Sequence, residues 1–140
     1  MKFNLFFIQE SLEHILAPLG YFYVPSNANK KRAKDFFESF PYFFYDIHFQ
    51  NKLYEIIQSK PITSYYDSKE HIQDYCFFIY FEFSTHYGLK PKSKDEFYNK
   101  MLEQLYHGSE RHKKWKQNNI QDYIFICLLI VLFSLYYFFA

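Results

Sequence analysis

The last eighteen residues, 123–140, read YIFICLLIVLFSLYYFFA and hold no charged side chain and one serine/threonine-type hydroxyl. At ~1.5 Å rise per residue such a run makes a helix of roughly 27 Å, close to the hydrocarbon thickness of a bilayer. In lipid every backbone N–H and C=O has to be paired internally, and a single helix achieves that. Aromatic rings stand at both ends, Tyr123 and Phe125 on one side and Tyr136 to Phe139 on the other, where interfacial rings prefer to lie. A buried core helix of this length would need a large domain to cover it. The sequence therefore predicts a C-terminal transmembrane anchor over 123–140.

About 120 residues precede the anchor, enough for one small domain. All 16 basic and all 15 acidic side chains lie before Tyr123, so that part is nearly neutral. Phosphate contacts need a clear basic excess, so no nucleic-acid partner is expected. The predicted order is a helical domain over 1–108, a polar juxtamembrane linker over 109–122, and the anchor. The start, MKFNLFFIQESLEH, has too short an apolar run for a secretory leader and lacks the Arg/Ser richness of a transit peptide. Targeting is expected to rely on the tail, or the chain to be made where it works.

Helical periodicity dominates the rest. Leu5, Ile8, Leu12, Ile15 and Leu16 recur at three- and four-residue steps, with Pro18 to Gly20 as the expected stop. Pro25-Ser26-Asn27 opens a helix near 28–40 that carries Phe36, Phe37 and Phe40, and Pro41 breaks it. A third helix, about 45–59, groups Phe49, Leu53, Ile56 and Ile57. Ser68 caps a fourth with Ile72, Tyr75, Cys76, Ile79, Tyr80 and Phe83 on one stripe. Its segment CFFIYFEF, 76–83, also tolerates a strand reading, although flanking periodicity favours helix. Ser93 caps a last helix through Leu105, with Phe97, Met101 and Leu105 at four-residue steps. The expected fold class is all-α, a small bundle of four or five helices followed by one transmembrane helix.

Candidate chemistry is sparse. The histidines His14, His48, His71, His86, His107 and His112 are scattered one per element without HxxxH or HExxH spacing, so no metal is expected. Of two cysteines, Cys76 sits on an apolar stripe and Cys127 within the anchor; neither belongs to a CxxC. No glycine-rich phosphate loop exists among only three glycines. The run Lys30, Lys31, Arg32 and Lys34 opens a helix, where the dipole favours acids. It reads as a solvated face or as a contact for a lipid headgroup or an acidic partner. Arg111, Lys113, Lys114, Trp115 and Lys116 precede the anchor and suit a membrane interface.

Several short motifs, taken in order, resemble the Erv/ALR family of FAD-linked sulfhydryl oxidases across residues 10–106. His14 fits the W-x-x-x-H helix, with Glu10 at the tryptophan position, and Tyr21 to Pro25 fits the following turn. The segment Phe36 to Phe49 carries Pro41, His48 and Phe49 at the spacing of P-C-x-x-C-x-x-H-[FY]. Both cysteines of that motif are replaced, by Tyr42 and Tyr45. The flavin-binding H-N-x-V-N falls on Phe81 to Thr85, which reads FEFST, and Lys90-Pro91-Lys92-Ser93 matches the closing segment. The resemblance implies a helical oxidase-like fold with Tyr42 and Tyr45 at the start of the third helix, near the Ile72 to Phe83 stripe. It does not imply the activity. Thiol–disulfide exchange needs a thiolate attacking a disulfide sulfur, which tyrosine cannot supply.

The expected function is that of a non-catalytic, single-pass accessory subunit of a large membrane protein assembly, without cofactor. A composition rich in Phe, Tyr, Lys, Ile and Asn suggests AT-rich coding, and Phe outnumbering Lys points to an organellar genome or a membrane-dominated gene, hence a respiratory-type complex of a mitochondrial inner membrane. The alternatives are a minor structural protein of a membrane-containing virion and a divergent FAD-dependent thiol oxidase. Rings in expected turns, Phe43, Phe44, Tyr65 and Tyr66, are anticipated to form an exposed interface.

Overall fold

The structure, a computed structural model, describes residues 4–106. It holds five α-helices and no strand among those residues: α1 Leu5–Phe22, α2 Asn27–Ser39, α3 Ile47–Ser59, α4 Lys69–His86 and α5 over 94–106. Short 3₁₀ turns at Phe40–Phe43 and Ile62–Ser64 join α2 to α3 and α3 to α4. The all-α class is thus observed, and residues 76–83 are helical throughout. The described residues divide into two units, 4–101 and 102–106, and the contacts below belong to the first. The expected anchor, the expected linker with Arg111, Lys113, Lys114, Trp115 and Lys116, and His107 and His112 lie outside the described residues. Among the described residues no helix is long and apolar enough to cross a membrane.

Side-chain caps start each of the five helices. Asn4, Ser26, Asp46 and Ser68 accept backbone N–H bonds from the first turns of α1 to α4. Ser93 and Glu96 form a reciprocal capping box: Ser93 Oγ accepts from Glu96 N at 3.3 Å, and Glu96 Oε2 from Ser93 N at 3.0 Å. Those bonds from Ser93 hold the Glu96 carboxyl below its usual range.

The hub is α4, whose Ile72, Tyr75, Cys76, Ile79, Tyr80 and Phe83 are all buried, as the stripe predicted. It runs antiparallel to α1, because Gln9 meets Tyr80 and Ser84 while Gly20 meets Gln73 and Cys76. It is also antiparallel to α3: Phe49 packs on Phe83 at 5.9 Å, and Tyr75 Oη donates to Ile57 O at 3.5 Å. Phe37 of α2 meets Tyr75 edge-on at 5.0 Å, and Phe97 of α5 meets Tyr80 at 4.8 Å. The expected inner face of α3 holds, with Phe49, Leu53, Ile56 and Ile57 buried; of the face expected for α2, Phe37 and Phe40 are buried but Phe36 is only half-buried, and Phe40 falls in the 3₁₀ turn beyond the helix.

Pro18 does not end α1. The helix continues four residues further, to Phe22, with the proline inside it. An internal proline costs about 3 kcal/mol in an isolated helix. Here the last turns bury Leu16, Ala17 and Gly20 against the bundle, and that packing outweighs the lost hydrogen bond. Gly20 is a close-approach residue rather than a stop: a Cβ there would lie 2.6 Å from Tyr98 Oη and 3.3 Å from Gln73 Cα. Two further expectations fail locally. Ile15 is 43% exposed, on the outer side of α1, and Leu105 is exposed at 49%.

Candidate functional site

The segment between α2 and α3 is where the structure departs most from an ordinary core. Phe36 stacks on Phe40 at 5.1 Å, and Phe40 meets Phe44 edge-on at 5.6 Å, so these rings close the corner of the bundle. Pro41 is buried beneath them in the 3₁₀ turn. The helix restarts only at Ile47, where Asp46 Oδ1 accepts from His48 N at 2.9 Å and Phe49 N at 3.2 Å. Apart from Phe44, the large apolar side chains of 42–47 turn outward. Tyr42, Phe43, Tyr45 and Ile47 are 65, 75, 100 and 56% exposed.

Tyr42 and Tyr45 therefore stand just ahead of α3 and face solvent, not the buried α4 stripe. The anticipated interface shifts with them. Of the four rings expected to be open, Phe43 is. Phe44 packs on Phe40, Tyr65 stacks on Tyr75 at 5.0 Å, and Tyr66 lies under Lys30 Nζ at 5.7 Å. Tyr45 and Ile47 fall inside the helix expected from about 45, where Tyr45, four residues before Phe49, reads as inward; α3 starts only at Ile47, which leaves Tyr45 in the connecting turn and exposed. The one available signal was Pro41, which breaks register between two helices.

A second constellation lies at the N-terminal end of α1. Gln9 Nε2 reaches Ser84 Oγ at 3.0 Å, Lys90 O at 3.2 Å and Tyr80 Oη at 3.3 Å. Tyr80 Oη also accepts from Lys92 N at 3.2 Å. Beside it, Lys92 Nζ donates to both carboxylate oxygens of the buried Glu13, at 2.6 and 2.7 Å, with Lys100 Nζ 3.7 Å away. Burial opposes the charge on Lys92, but its bonds to Glu13 outweigh that and raise its pKa; burial likewise raises Tyr80. Each polar group here is bonded within the bundle, so the cluster clasps Lys90 to Lys92 onto α1 and α4. It holds the motif segment of the resemblance in a structural role.

Cys76 is fully buried, and burial pushes its thiol far above the ordinary range, so it is held as a protonated, inert packing group. His14 Nδ1 lies 2.6 Å from Glu10 O and His86 packs edge-on to Tyr87. Among the described residues no three His, Cys, Asp or Glu side chains converge as metal ligands. Phe81 to Thr85 lie on α4, with Phe83 and Ser84 inside the bundle.

The basic run divides. Lys30 pairs with Asp67 at 2.5 Å and Lys34 with Glu38 at 3.8 Å. Lys31 and Arg32 are exposed and make no ion pair within the described residues. Arg32 lines a groove of about 320 Å³ between the end of α1 and α2.

Comparison with protein-family models, with characterised proteins and with solved structures returns no match.

Proposed function

We propose that this protein is a non-catalytic, membrane-anchored accessory subunit of a large membrane protein assembly. Residues 123–140 hold it in the bilayer, and the 42–47 segment docks it to its neighbours. The supporting observation is the exposure of Tyr42, Phe43, Tyr45 and Ile47 in one short stretch beside a well-packed core. Burying a large apolar side chain stabilises by about 1.5–3 kcal/mol, so these side chains carry a sizeable driving force for association. Tyrosine and phenylalanine are the residues that interface cores enrich. No redox chemistry is assigned. At the positions where the resemblance would place a thiol pair stand two water-facing tyrosines, and Cys76 is a buried thiol. The excess of Phe over Lys argues for a respiratory-type complex of a mitochondrial inner membrane as the setting.

The test uses the full chain, affinity-tagged and extracted in mild detergent. The native chain should bring down a defined set of membrane subunits, and the triple variant Tyr42→Ser, Phe43→Ser, Tyr45→Ser should lose them while keeping its melting temperature. Deleting residues 123–140 should release the chain from carbonate-washed membranes. Purified protein that carries flavin absorbance and consumes oxygen with a dithiol would sink this reading.

A further inference from the structure

One side of α1 and the groove at its end combine apolar surface with a cation, Arg32, that lacks an acid of its own. At 3.6 residues per turn, Phe7, Ile15, Pro18 and Phe22 share the side of α1 away from Leu16 and Gly20. Phe7 and Phe22 are 63 and 60% exposed. This row runs into the groove walled by Pro18, Leu19, Phe22, Val24, Ala33 and Phe36. The two other side chains that matter there are Asn29 and Arg32. The Asn29 amide is already used on both sides: Nδ2 donates to Val24 O at 2.9 Å, and Oδ1 accepts from Arg32 Nη1 at 3.2 Å. A guanidinium carries five N–H donors, so Arg32 retains free ones as the only charged group in the lining among the described residues. Lys31, its neighbour in sequence, lies about 100° round the helix and outside the lining.

We propose that this face docks on anionic phospholipid, with Phe22 and Val24 at the acyl boundary and Arg32 on a lipid phosphate. It rests on the membrane-anchored reading and adds the orientation partner of the domain. Charge selects this occupant. The groove offers apolar contact and unspent positive charge, which an acidic headgroup with its acyl chain complements, and a guanidinium binds phosphate through paired N–H bonds. A second copy is disfavoured, because a two-fold contact through this face would set Arg32 against its own symmetry mate. Tether length acts in the same direction. Sixteen residues, 107–122, separate α5 from the expected span and extend at most about 55 Å. Tethering on that scale turns lipid contact into an intramolecular event, and each cation near an anionic leaflet adds about fivefold in affinity.

The experiment reconstitutes the full chain in vesicles of phosphatidylcholine, alone or with phosphatidylglycerol. Trp115→Phe removes the single native tryptophan, and Phe22→Trp then supplies an indole that reports on this face alone. Bromination of the acyl chains of one lipid or the other supplies the quencher. The expected result is indole emission quenched about twofold or more by brominated phosphatidylglycerol relative to brominated phosphatidylcholine. Adding Arg32→Glu should abolish that preference, and Val24→Asn should weaken quenching by both lipids without changing the charge. A chain that floats with the vesicles while the introduced indole stays unquenched in both would overturn the proposal and leave the anchor standing. Failure to float would overturn anchoring and docking together. Shielding of the indole that follows protein concentration instead of lipid charge would assign the face to a second copy and overturn lipid docking.

Discussion

Two stretches of this chain are almost equally aromatic and meet opposite fates. Along α4 the rings of Tyr75, Tyr80 and Phe83 are within 1% of full burial, whereas Tyr42, Phe43 and Tyr45 stand in water. Ring content does not separate them. In α4, apolar residues recur at three- and four-residue steps across 72–83, so they share one face and can all meet α1 and α3. In 40–45 a buried proline sits in a 3₁₀ turn of about three residues per period, and the side chains fan out instead of stacking. Periodicity decides what a ring can cover, and hydrophobicity alone does not.

The sharpest way to break this contrast is to truncate one ring on each side. Phe83→Ala removes a side chain with no exposed surface, packed at 4.7 Å on Tyr87 and 5.9 Å on Phe49. It should cost about 3–5 kcal/mol in urea unfolding of the detergent-solubilised chain. Phe43→Ala should stay within about 0.5 kcal/mol of the native chain. Equal losses would mean that the 42–47 segment is part of the core.

A smaller effect is expected at Gly20, where α1 comes closest to α4. Alanine would gain up to about 1 kcal/mol in helix propensity. Its Cβ, however, would meet Tyr98 Oη, itself bonded to Gln73 O at 2.8 Å. Gly20→Ala should therefore destabilise by a net ~1–2 kcal/mol, and Tyr98→Phe in the same chain should recover part of that loss. Additive losses would show that the hydroxyl is not the obstacle.

The smallest effect at neutral pH separates core from surface by titration. Burial raises the phenol of Tyr75 above its ordinary 10.0. A group whose folded pKa is raised contributes stability that is complete below its unfolded pKa, here about 10, and is lost as pH rises from there toward the folded value. Unfolding should thus become easier above pH ~10. Tyr75→Phe, which gives up only a long bond to Ile57 O, should flatten that alkaline loss while changing stability little at pH 7. An unchanged alkaline slope would place the sensitivity on the other buried tyrosines, Tyr80 and Tyr98.

The periodic helices were legible before any coordinates. Every residue assigned to the inner faces of α3 and α4 is buried, and Ser68 and Ser93 cap the helices they were expected to start. What failed were positions ruled by tertiary contact. Pro18 and Gly20 read as a stop because local propensity says so, but burial against α4 carries the helix past them. The Glu13–Lys92 clasp joins residues 79 apart, and no local spacing announces such a pair. The candidate interface was legible as aromatic excess but not by position, since three of the four rings expected to be open find ring or cation partners.

The antiparallel α1–α4 pairing also sets a clock. α1 is complete at Phe22, yet its main partner is not finished until His86, 64 residues later. At synthesis rates of about 5–20 residues per second, α1 waits roughly 3–13 seconds with Leu12 and Leu16 uncovered. Closing a loop of this size also carries an entropy cost of about 4 kcal/mol, repaid only when α4 arrives. During that interval the first helix shows Leu12 and Leu16 on one side and Phe7, Ile15 and Phe22 on the other. It is the part of the nascent chain that a chaperone or a bilayer surface would meet first.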